Sequence, residues 1–331
     1  MSSENSKKNY AKYVAVLLVL VILIASAFLF LELWDNTQGK FAGSVTEYGV
    51  ITYNGIEYEY RDDIETFLVL GLDKYIDATS AESHDGSVQA DFLLLFVFDN
   101  KTKQTTAIHI NRDTLTKVNK LAIGGTSIVE SYTKQIALAY SYVDGDNDKI
   151  RCRNTKDSVE YLLKGIKVNH YFSLTMEAVI ASCDAVGGVE LTVVGDFAGI
   201  DDSLIEGETL TLSGEQALRY VRTRYGLEDS SNSTRMERQQ QYINALHDKI
   251  DAHMDADAEF LVKLVDAIDD YVVYDSSDQK MLKLAEKFED YEFLGIRELD
   301  GEAILGEEFI EFHPDEESIW KIVVELFYSP K

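Results

Sequence analysis

The chain has 331 residues, enough to bury a full hydrophobic core as one large domain or as two small ones. Its content of 46% hydrophobic and 11% aromatic residues excludes an intrinsically disordered protein. The formal net charge of -27 argues against nucleic-acid binding, because most of the surface would repel a phosphate backbone.

An apolar run near the N-terminus predicts a membrane anchor. Residues 14–31 are uncharged and mostly apolar, which is about the minimum length that spans a bilayer. Three lysines precede this run and acidic residues follow it, so residues 1–12 are predicted in the cytoplasm and the large remainder outside the cell. The alternative is a cleaved signal peptide, since Ala25-Ser26-Ala27 resembles a cleavage site. The run continues past that point, which favours an uncleaved, single-pass anchor at residues 13–33 of a cell-membrane protein.

Residues 34–62 are predicted to form a juxtamembrane linker and a β-hairpin. Val50–Tyr53 and Ile56–Tyr60 flank Asn54-Gly55, which is a strong signal for a two-residue hairpin turn. The two runs that follow, 67–72 and 92–98, are too apolar for half-exposed strands. They are predicted as central strands that are covered on both faces.

Helical and extended patterns then alternate along the chain. Further elements are predicted as a strand at 105–111, a helix at 156–164, a strand at 168–173, a helix at 175–185, a strand at 189–194, and helices at 213–220 and 234–250. Ser213 with Gln216, and Thr234 with Glu237, form capping-box patterns that mark the starts of the last two helices. Residues 252–331 are predicted to add an acidic helix, an extended stretch at 291–299 and a last helix at 315–328.

Half of the chain's ten arginines lie close together in the sequence, at Arg219, Arg222, Arg224, Arg235 and Arg238. Such a cluster repels itself unless an anion binds to it, and guanidinium groups match phosphate oxygens, so a polyphosphate is the first ligand to consider. Gln239 shares one side of the predicted 234–250 helix with the last two arginines, at the end that attracts anions. The alternative is that these arginines pair with local carboxylates on a solvated face.

Two aspartates stand at the ends of the predicted central strands. Asp73 ends the first strand and Asp91 begins the second, so antiparallel pairing would bring both carboxylates to one end of the sheet. Hard carboxylate oxygens suit Mg²⁺ or Mn²⁺ when phosphates complete the coordination, although strand-end aspartates also cap turns. Arg112 and Asp113 close the third strand and would project from the same side, either as part of this site or as a structural ion pair.

These motifs together resemble the LytR–CpsA–Psr family over roughly residues 64–250. The matching segments are Leu-Gly-Leu-Asp73, Ala-Asp91, Ile-Asn-Arg112-Asp113-Thr, Ala-Val-Gly187-Gly188-Val, Tyr-Val-Arg222-Thr-Arg224 and Arg235-Met-Glu-Arg238-Gln-Gln. The resemblance implies an α/β fold with a mixed central β-sheet flanked by helices. It also implies a catalytic domain at 63–251, with residues 252–331 as an acidic extension packed on that domain or continuous with it.

The resemblance implies a Gram-positive cell-envelope phosphotransferase. Such enzymes move an anionic glycopolymer, of the teichoic acid or capsular polysaccharide type, from a polyprenyl-pyrophosphate carrier to peptidoglycan. Asp73 and Asp91 would hold Mg²⁺ (or Mn²⁺), and Asp73 could also accept the proton of the acceptor hydroxyl. The pyrophosphate would be bound by Arg112, Arg222, Arg224, Arg235 and Gln239, with Arg238 as a further candidate.

This chain departs from the family pattern where it has Gln89-Ala90-Asp91-Phe92, since the family commonly has Arg-Ser-Asp-Thr there. One phosphate-binding cation is therefore missing, although Gln89 can still donate hydrogen bonds to a pyrophosphate. If the missing cation limits the rate, Gln89→Arg should raise turnover. The departure keeps two alternatives open: a non-catalytic protein that binds prenyl-linked glycan or regulates envelope synthesis, and a pyrophosphate hydrolase.

The chain contains two cysteines, Cys152 and Cys183. Outside the cell such a pair can oxidise to a disulfide, but two buried thiols are an equal alternative because sequence spacing does not give their distance.

Overall fold

The computed structural model describes residues 44–45, 49–73, 88–223, 232–257, 260–288, 291–306 and 309–331. The predicted cytoplasmic segment 1–12 and membrane anchor 13–33 lie outside these residues. Among the described residues, no helix combines the length and the apolar character needed to cross a bilayer.

The strands are β1 Ser44–Val45, β2 Val50–Tyr53, β3 Ile56–Tyr60, β4 Ile64–Leu72, β5 Ala90–Asp99, β6 Gln104–Ile110, β7 Leu115–Leu121, β8 Ile128–Gln135, β9 His170–Thr175, β10 Val189–Thr192, β11 Thr209–Leu212, β12 Val272–Tyr274, β13 Glu292–Glu298, β14 Gly301–Leu305, β15 Ile310–Pro314 and β16 Tyr328–Pro330. The α-helices are α1 Asp148–Leu162, α2 Met176–Ala185, α3 Gly214–Arg222, α4 Asn232–Ala256, α5 Phe260–Ile268, α6 Asp278–Phe288 and α7 Glu316–Phe327.

A six-stranded sheet in the order β12-β9-β4-β5-β6-β13 is the centre of the fold. Strand β5 pairs antiparallel with β4 and with β6, whereas β13 lies parallel to β6, so the sheet is mixed as predicted. Leu68 and Leu95, which face each other across β4 and β5, are completely buried, and the next pair, Val69 and Leu94, which points to the opposite face, is buried as well. The prediction of central strands covered on both faces is therefore confirmed.

The hairpin predicted at Asn54-Gly55 is also confirmed. Both residues have positive φ angles, 49° and 78°, which is the backbone of a two-residue hairpin turn that matches the twist of the flanking strands. The sequence analysis missed the other partner of this hairpin: β3 pairs with β16, and Tyr60 lies opposite Tyr328 at the far end of the chain.

Two helix starts differ from their predictions. Helix α1 begins at Asp148 instead of 156, because the side chain of Asn147 caps it by accepting a hydrogen bond from the backbone N–H of Ile150. The predicted capping box of helix α4 was wrong, since α4 begins at Asn232 and Thr234 already lies inside the helix.

The capping box of α3 is confirmed by two reciprocal hydrogen bonds between Ser213 and Gln216. The backbone N–H of Gly214 donates to Oδ1 of Asp184 at 2.7 Å, and a Cβ atom at this glycine would lie only 2.5 Å from the carbonyl oxygen of Ile180. Helix α3 therefore packs closely on α2 only because its first residue has no side chain.

The C-terminal part of the chain completes the sheets. The predicted extended stretch at 291–299 forms β13, and the predicted last helix forms α7. The hairpins β7–β8 and β14–β15 were not predicted. Their strands carry mixed polar and charged residues without a regular alternation, so the apolar pattern does not reveal them.

The chain forms two compact units, each with its own hydrophobic core. The described residues of the sheet unit lie within 32–173, 273–275 and 290–331, and those of the helical unit lie within 174–272 and 276–289. The sheet-unit core brings strand residues such as Leu68 together with Val323 of α7, whereas the helical-unit core includes Tyr220 of α3. Burying each such large side chain stabilises the fold by roughly 1.5–3 kcal/mol.

Candidate functional site

Three strand ends meet at one edge of the central sheet, within the sheet unit. The backbone N–H of Asp73, just after β4, donates to the carbonyl of Gln89, just before β5, at 2.9 Å. Leu93 of β5 pairs with Ile110 of β6, which places Arg112 beside the start of β5. The side chains predicted to share this edge are therefore brought together by the strand register.

A β-bulge lies at Asp91. Gly71 pairs with Phe92 and Leu72 pairs with Ala90, so the register of β4 passes over Asp91. A Cβ atom on Gly71 would lie 2.9 Å from Cβ of Phe92, so the close strand approach beside the bulge needs a glycine. Bulges turn a side chain away from the regular alternation, and this one sets the direction of the Asp91 carboxylate.

Arg112 is held by side chains on several sides of its guanidinium group. Nη1 forms an ion pair with the carboxylate of Asp91, and Nη2 donates to Oε1 of Gln89 at 2.6 Å. Nε lies 3.6 Å from Oδ1 of Asp113. The side chain of Arg112 remains 32% exposed, so a fixed guanidinium faces solvent at the sheet edge. We call Asp73, Gln89, Asp91, Arg112 and Asp113 the sheet-edge cluster.

Gln135 of β8 supports this cluster and was missed by the sequence analysis. Its Nε2 donates to Oδ1 of Asp113 at 2.9 Å and to the carbonyl of Ile310 at 2.7 Å. The backbone N–H of Phe312 in β15 donates to the carbonyl of Asp113. No local signal could have revealed these contacts, because they depend on two hairpins that the apolar pattern did not predict.

In the helical unit, Arg238 of α4 is buried, with only 1% of its surface exposed. Its Nε donates to the carbonyl of Tyr220 at 3.0 Å, and its Nη2 donates to the carbonyl of Thr223. The guanidinium carbon also lies 5.4 Å from the ring centre of Phe197. The sequence analysis gave Arg238 as a further candidate for binding pyrophosphate. In the structure its guanidinium group instead donates hydrogen bonds to carbonyl groups at the C-terminal end of α3, where a cation is favourable.

Arg222 is the last residue of α3 and is half-buried. In the sequence it stands between Tyr220 and Thr223, whose carbonyls accept the hydrogen bonds from Arg238. Arg219, one turn earlier, pairs with Asp201 at 2.9 Å and has a 47% exposed side chain. Burial opposes the ionisation of Asp201, but hydrogen bonds from Ser203 and Arg219 outweigh it and lower the pKa of this carboxyl. Of the two alternatives for the arginine cluster, phosphate binding or pairing with a local carboxylate, the second is therefore correct for Arg219.

The remaining predicted phosphate ligands are only partly covered by the structure. Arg224 lies outside the described residues. The backbone of Arg235 and Gln239 belongs to helix α4, which confirms the predicted helical spacing, and their side chains are not described. Within the described ranges, no three His, Cys, Asp or Glu residues are grouped so that they could hold a metal ion. A metal at the two strand-end aspartates would therefore need oxygen ligands from a bound substrate or from water.

The two cysteines are buried free thiols, so the alternative of two unpaired thiols is correct and the disulfide is not formed. Burial raises the pKa of Cys152 to about 12 and that of Cys183 to about 11. Cys152 lies 3.3 Å from Oγ of Ser173, and Cys183 lies 3.4 Å from the carbonyl of Leu212. Neither thiol is in a state that favours nucleophilic chemistry.

Known bacterial proteins have similar sequences. The Biofilm regulatory protein A of Streptococcus mutans is 26% identical over 242 residues, which cover 71% of this chain and 55% of the relative. This chain thus spans about half the length of that protein. The polyisoprenyl-teichoic acid–peptidoglycan teichoic acid transferase TagU of Enterococcus faecalis is 25% identical over 257 residues, covering 75% of this chain and 73% of the relative.

Solved structures show the same fold. Bacillus subtilis TagV aligns with a TM-score of 0.53 at 24% identity and covers 80% of this chain and 96% of its own. The structure of TagT bound to LI-WTA aligns with a TM-score of 0.53 at 22% identity, covering 80% and 90%. Residues 40–323 also match the LytR_cpsA_psr family. With its mixed sheet, its strand-end motifs and this match over most of its length, the chain belongs to the LytR–CpsA–Psr family.

Proposed function

We propose that this protein transfers an anionic glycopolymer, of the teichoic acid or capsular polysaccharide type, from a polyprenyl-pyrophosphate carrier to peptidoglycan. Membership of the family and relatives named as teichoic acid transferases support this proposal. The observation on which it chiefly rests is the sheet-edge cluster, where Arg112 is fixed between Gln89 and the carboxylate of Asp91 beside Asp73.

The contacts of Arg112 support its assignment to phosphate binding. Phosphoryl transfer depends on placing and neutralising the phosphate charge more than on covalent help from the protein. Asp91, Gln89 and Asp113 restrain the guanidinium group, and its solvent-facing side can offer the remaining N–H donors to a phosphate oxygen. Because the group is already oriented, little side-chain entropy is lost when the substrate binds.

The donor atoms of Asp73 and Asp91 fit Mg²⁺, with Mn²⁺ as an alternative. Both side chains end in hard carboxylate oxygens, and both lie at the ends of neighbouring strands. When bound there, the ion would neutralise charge on the pyrophosphate. The bulge at Asp91 and the backbone hydrogen bond of Asp73 fix the backbone at both residues, which supports this assignment.

Transfer would proceed by attack of a peptidoglycan hydroxyl oxygen on the glycan-bearing phosphorus. A new phosphodiester bond forms, the phosphoanhydride bond breaks, and polyprenyl phosphate leaves with the bonding electrons. The hydroxyl proton would pass to the carboxylate of Asp73, which is half-exposed at the sheet edge.

We assign pyrophosphate binding in the helical unit to Arg222, Arg224, Arg235 and Gln239. This assignment is supported by the family motif in which they stand and by the helical spacing of the last two on α4. Arg238 is assigned a positioning role, because it is buried and donates to carbonyls on both sides of Arg222.

We further propose that residues 13–33 anchor the protein in the cell membrane, with residues 1–12 in the cytoplasm and the remainder outside. The apolar run and the charges on its two sides support this proposal. Such an anchor would keep the described part of the chain near a membrane-borne prenyl carrier.

An assay with a short prenyl-pyrophosphate glycan, Mg²⁺ and peptidoglycan fragments tests the reaction. A covalent glycan–peptidoglycan conjugate is expected, together with free polyprenyl phosphate. Release of free glycan phosphate without a conjugate would instead identify a hydrolase.

A non-catalytic, glycan-binding or regulatory role is the second candidate, and Gln89 favours it. This neutral side chain stands where the family commonly has an arginine. Tight binding of the prenyl-linked glycan without any turnover, in the presence of Mg²⁺ and acceptor, would support this candidate and exclude the transferase.

A further inference from the structure

We propose that a groove in the sheet unit, separate from the sheet-edge cluster, binds a saccharide that bears an anionic group. The groove has a volume of about 390 Å³, within the size range of small-molecule sites. It is lined by β7, β8, the end of α1 and the start of α7, and its lining residues include Leu115, Lys117, Ser131, Thr133, Tyr161 and Lys164.

The groove begins close to the sheet-edge cluster along the chain. Leu115, at its near end, lies two residues after Asp113, which forms a turn with Arg112. Leu115 also pairs with Gln135, whose amide binds Asp113. A glycan that extends out of this end of the groove would therefore pass beside the residues to which we assign phosphoryl transfer.

One wall of the groove is the ring of Tyr161, which is 58% exposed. The negative face of an aromatic ring attracts the slightly positive C–H hydrogens of a pyranose. The ammonium group of Lys117 lies 5.5 Å from the centre of this ring, which shows that the ring face attracts a positively polarised group. The side chain of Lys117 is long and flexible, so its ammonium group can lie at the edge of a sugar that covers the ring.

Polar side chains line the same groove as this ring. Thr133 lies opposite Lys117 on β8, and Ser131 lies on the same face of that strand. The hydroxyl of Ser131 donates to Asn119, so its lone pairs can accept a hydrogen bond from a ligand. The ring of Tyr161 thus forms an apolar platform, and Lys117 with these two hydroxyls forms a polar rim.

The charge of the groove selects an anionic sugar. Among the described residues, no carboxylate lies within ion-pair distance of Lys117, whereas Lys164 is paired with Glu316 at 2.6 Å. The groove thus presents a cation in a protein whose formal net charge is -27. Neither lysine alone defines a ligand, but a cation beside an exposed aromatic face matches a saccharide with a carboxylate or phosphate group.

Two sources share this chemistry, and they follow from the proposed function: the carboxylate of a muramic acid in the acceptor and the phosphate groups of the glycopolymer. Titration calorimetry with the full chain would compare three probes. These are the N-acetylglucosamine–N-acetylmuramic acid disaccharide, N-acetylglucosamine 1-phosphate, and chitobiose, which has no anionic group. Preference for the first identifies an acceptor subsite, and preference for the second identifies a donor subsite.

Variants connect the binding to the groove. Lys117→Met and Tyr161→Ala are each expected to weaken binding of the preferred anionic probe about fivefold, the effect of an interaction of about 1 kcal/mol. Tyr161→Phe should restore binding because the ring remains. Lys101→Met, an exposed lysine in the β5–β6 turn, is the matched control and should bind like the unmodified protein. The thermal midpoint of each variant checks that it is folded.

The inference is overturned if chitobiose binds as tightly as both anionic probes, if no probe binds, or if Lys117→Met and Tyr161→Ala bind normally. Failure of the proposed function looks different. A protein that binds the anionic probe through Lys117 and Tyr161 but makes no conjugate would retain the groove and lose the transferase assignment. Arg112→Ala should abolish conjugate formation and leave probe binding unchanged.

Discussion

Nη2 of Arg112 donates a hydrogen bond of 2.6 Å to Oε1 of Gln89. The residue that departs from the family pattern is therefore an acceptor for the arginine at the next strand end. An arginine at position 89 could not accept this bond, and it would place a second positive charge beside the first. This contact changes the expected effect of restoring the family residue.

We expect Gln89→Leu and Gln89→Arg both to lower kcat for glycan transfer, by about tenfold, because Arg112 loses its acceptor. The sequence alone predicted that Gln89→Arg would raise turnover if the missing cation limits the rate. Steady-state kinetics of both variants distinguishes the two expectations. Gln104→Leu serves as a control, since Gln104 lies in the same sheet and its side chain donates a hydrogen bond to the exposed Glu292. A higher kcat for Gln89→Arg would show that the missing cation limits the rate.

Arg222 and Arg238 should respond differently to substitution by alanine. Arg238→Ala should lower the free energy of unfolding of the helical unit by about 3 kcal/mol, because a buried charged donor to two carbonyls is lost. Arg222→Ala should abolish transfer and change stability by much less. Chemical denaturation and the conjugate assay, made on both variants, measure these effects. Equal loss of stability in the two variants would show that Arg222 is structural as well.

Asp91→Ala should also abolish transfer with little change in the thermal midpoint. Its carboxylate orients Arg112 and, in our proposal, binds Mg²⁺ from a half-exposed position at the sheet edge. Conjugate formation and a thermal melt are the two measurements. Asp63→Ala is a suitable comparison, because Asp63 also pairs with an arginine, Arg61, at the opposite end of the same strands. Retained transfer in Asp91→Ala would remove Asp91 from the catalytic assignment.

The stability of the sheet unit should fall in acid partly through Asp99. Burial opposes the ionisation of Asp99, but the N–H of Thr102, the guanidinium of Arg61 and the N–H of Lys101 outweigh it and lower its pKa. The ionised form is therefore favoured in the folded state. Its stabilising effect is complete above the ordinary pKa of aspartate and is lost as the pH falls through the lowered folded-state pKa.

Urea denaturation between pH 7 and pH 2 tests this prediction. Asp99→Asn should reduce the dependence of unfolding free energy on pH below about pH 4, near the ordinary pKa of aspartate. Asp146→Asn is the control, since Asp146 is an almost fully exposed aspartate of the same unit. If the free energy of unfolding of Asp99→Asn fell at acid pH as it does in the unmodified protein, other carboxyl groups would control the acid sensitivity.

Cys152 and Cys183 should be inert in the folded protein. Both are completely buried, and burial raises the pKa of each thiol to about 12 and about 11 respectively. We expect a thiol reagent such as Ellman's reagent to modify neither cysteine at pH 8 and to titrate both in guanidinium chloride. A signal from the folded protein would indicate local opening around one of them, and mass spectrometry would identify which. Failure of either to react after unfolding without reductant would reveal a disulfide.

Much of the fold could be predicted from local patterns. The Asn54-Gly55 turn requires positive φ angles that few other residue pairs adopt, and the apolar runs of β4 and β5 exclude exposure on either face. Once these strands pair antiparallel, Asp73 and Asp91 must emerge at the same edge. The turn and the apolar runs are local features that the sequence shows directly, and the convergence of the two aspartates follows from pairing two strands that are consecutive in the chain.

Only the tertiary structure decided which distant segments support the site. Strand β13 was predicted to be extended, but its parallel pairing with β6 joins segments far apart in the sequence. The contacts of Gln135 with Asp113 and the burial of Arg238 behind α3 likewise depend on elements brought together by folding. Such partners are selected by the fit of buried faces and by the need to satisfy buried polar groups, and neither is encoded in a short stretch of sequence.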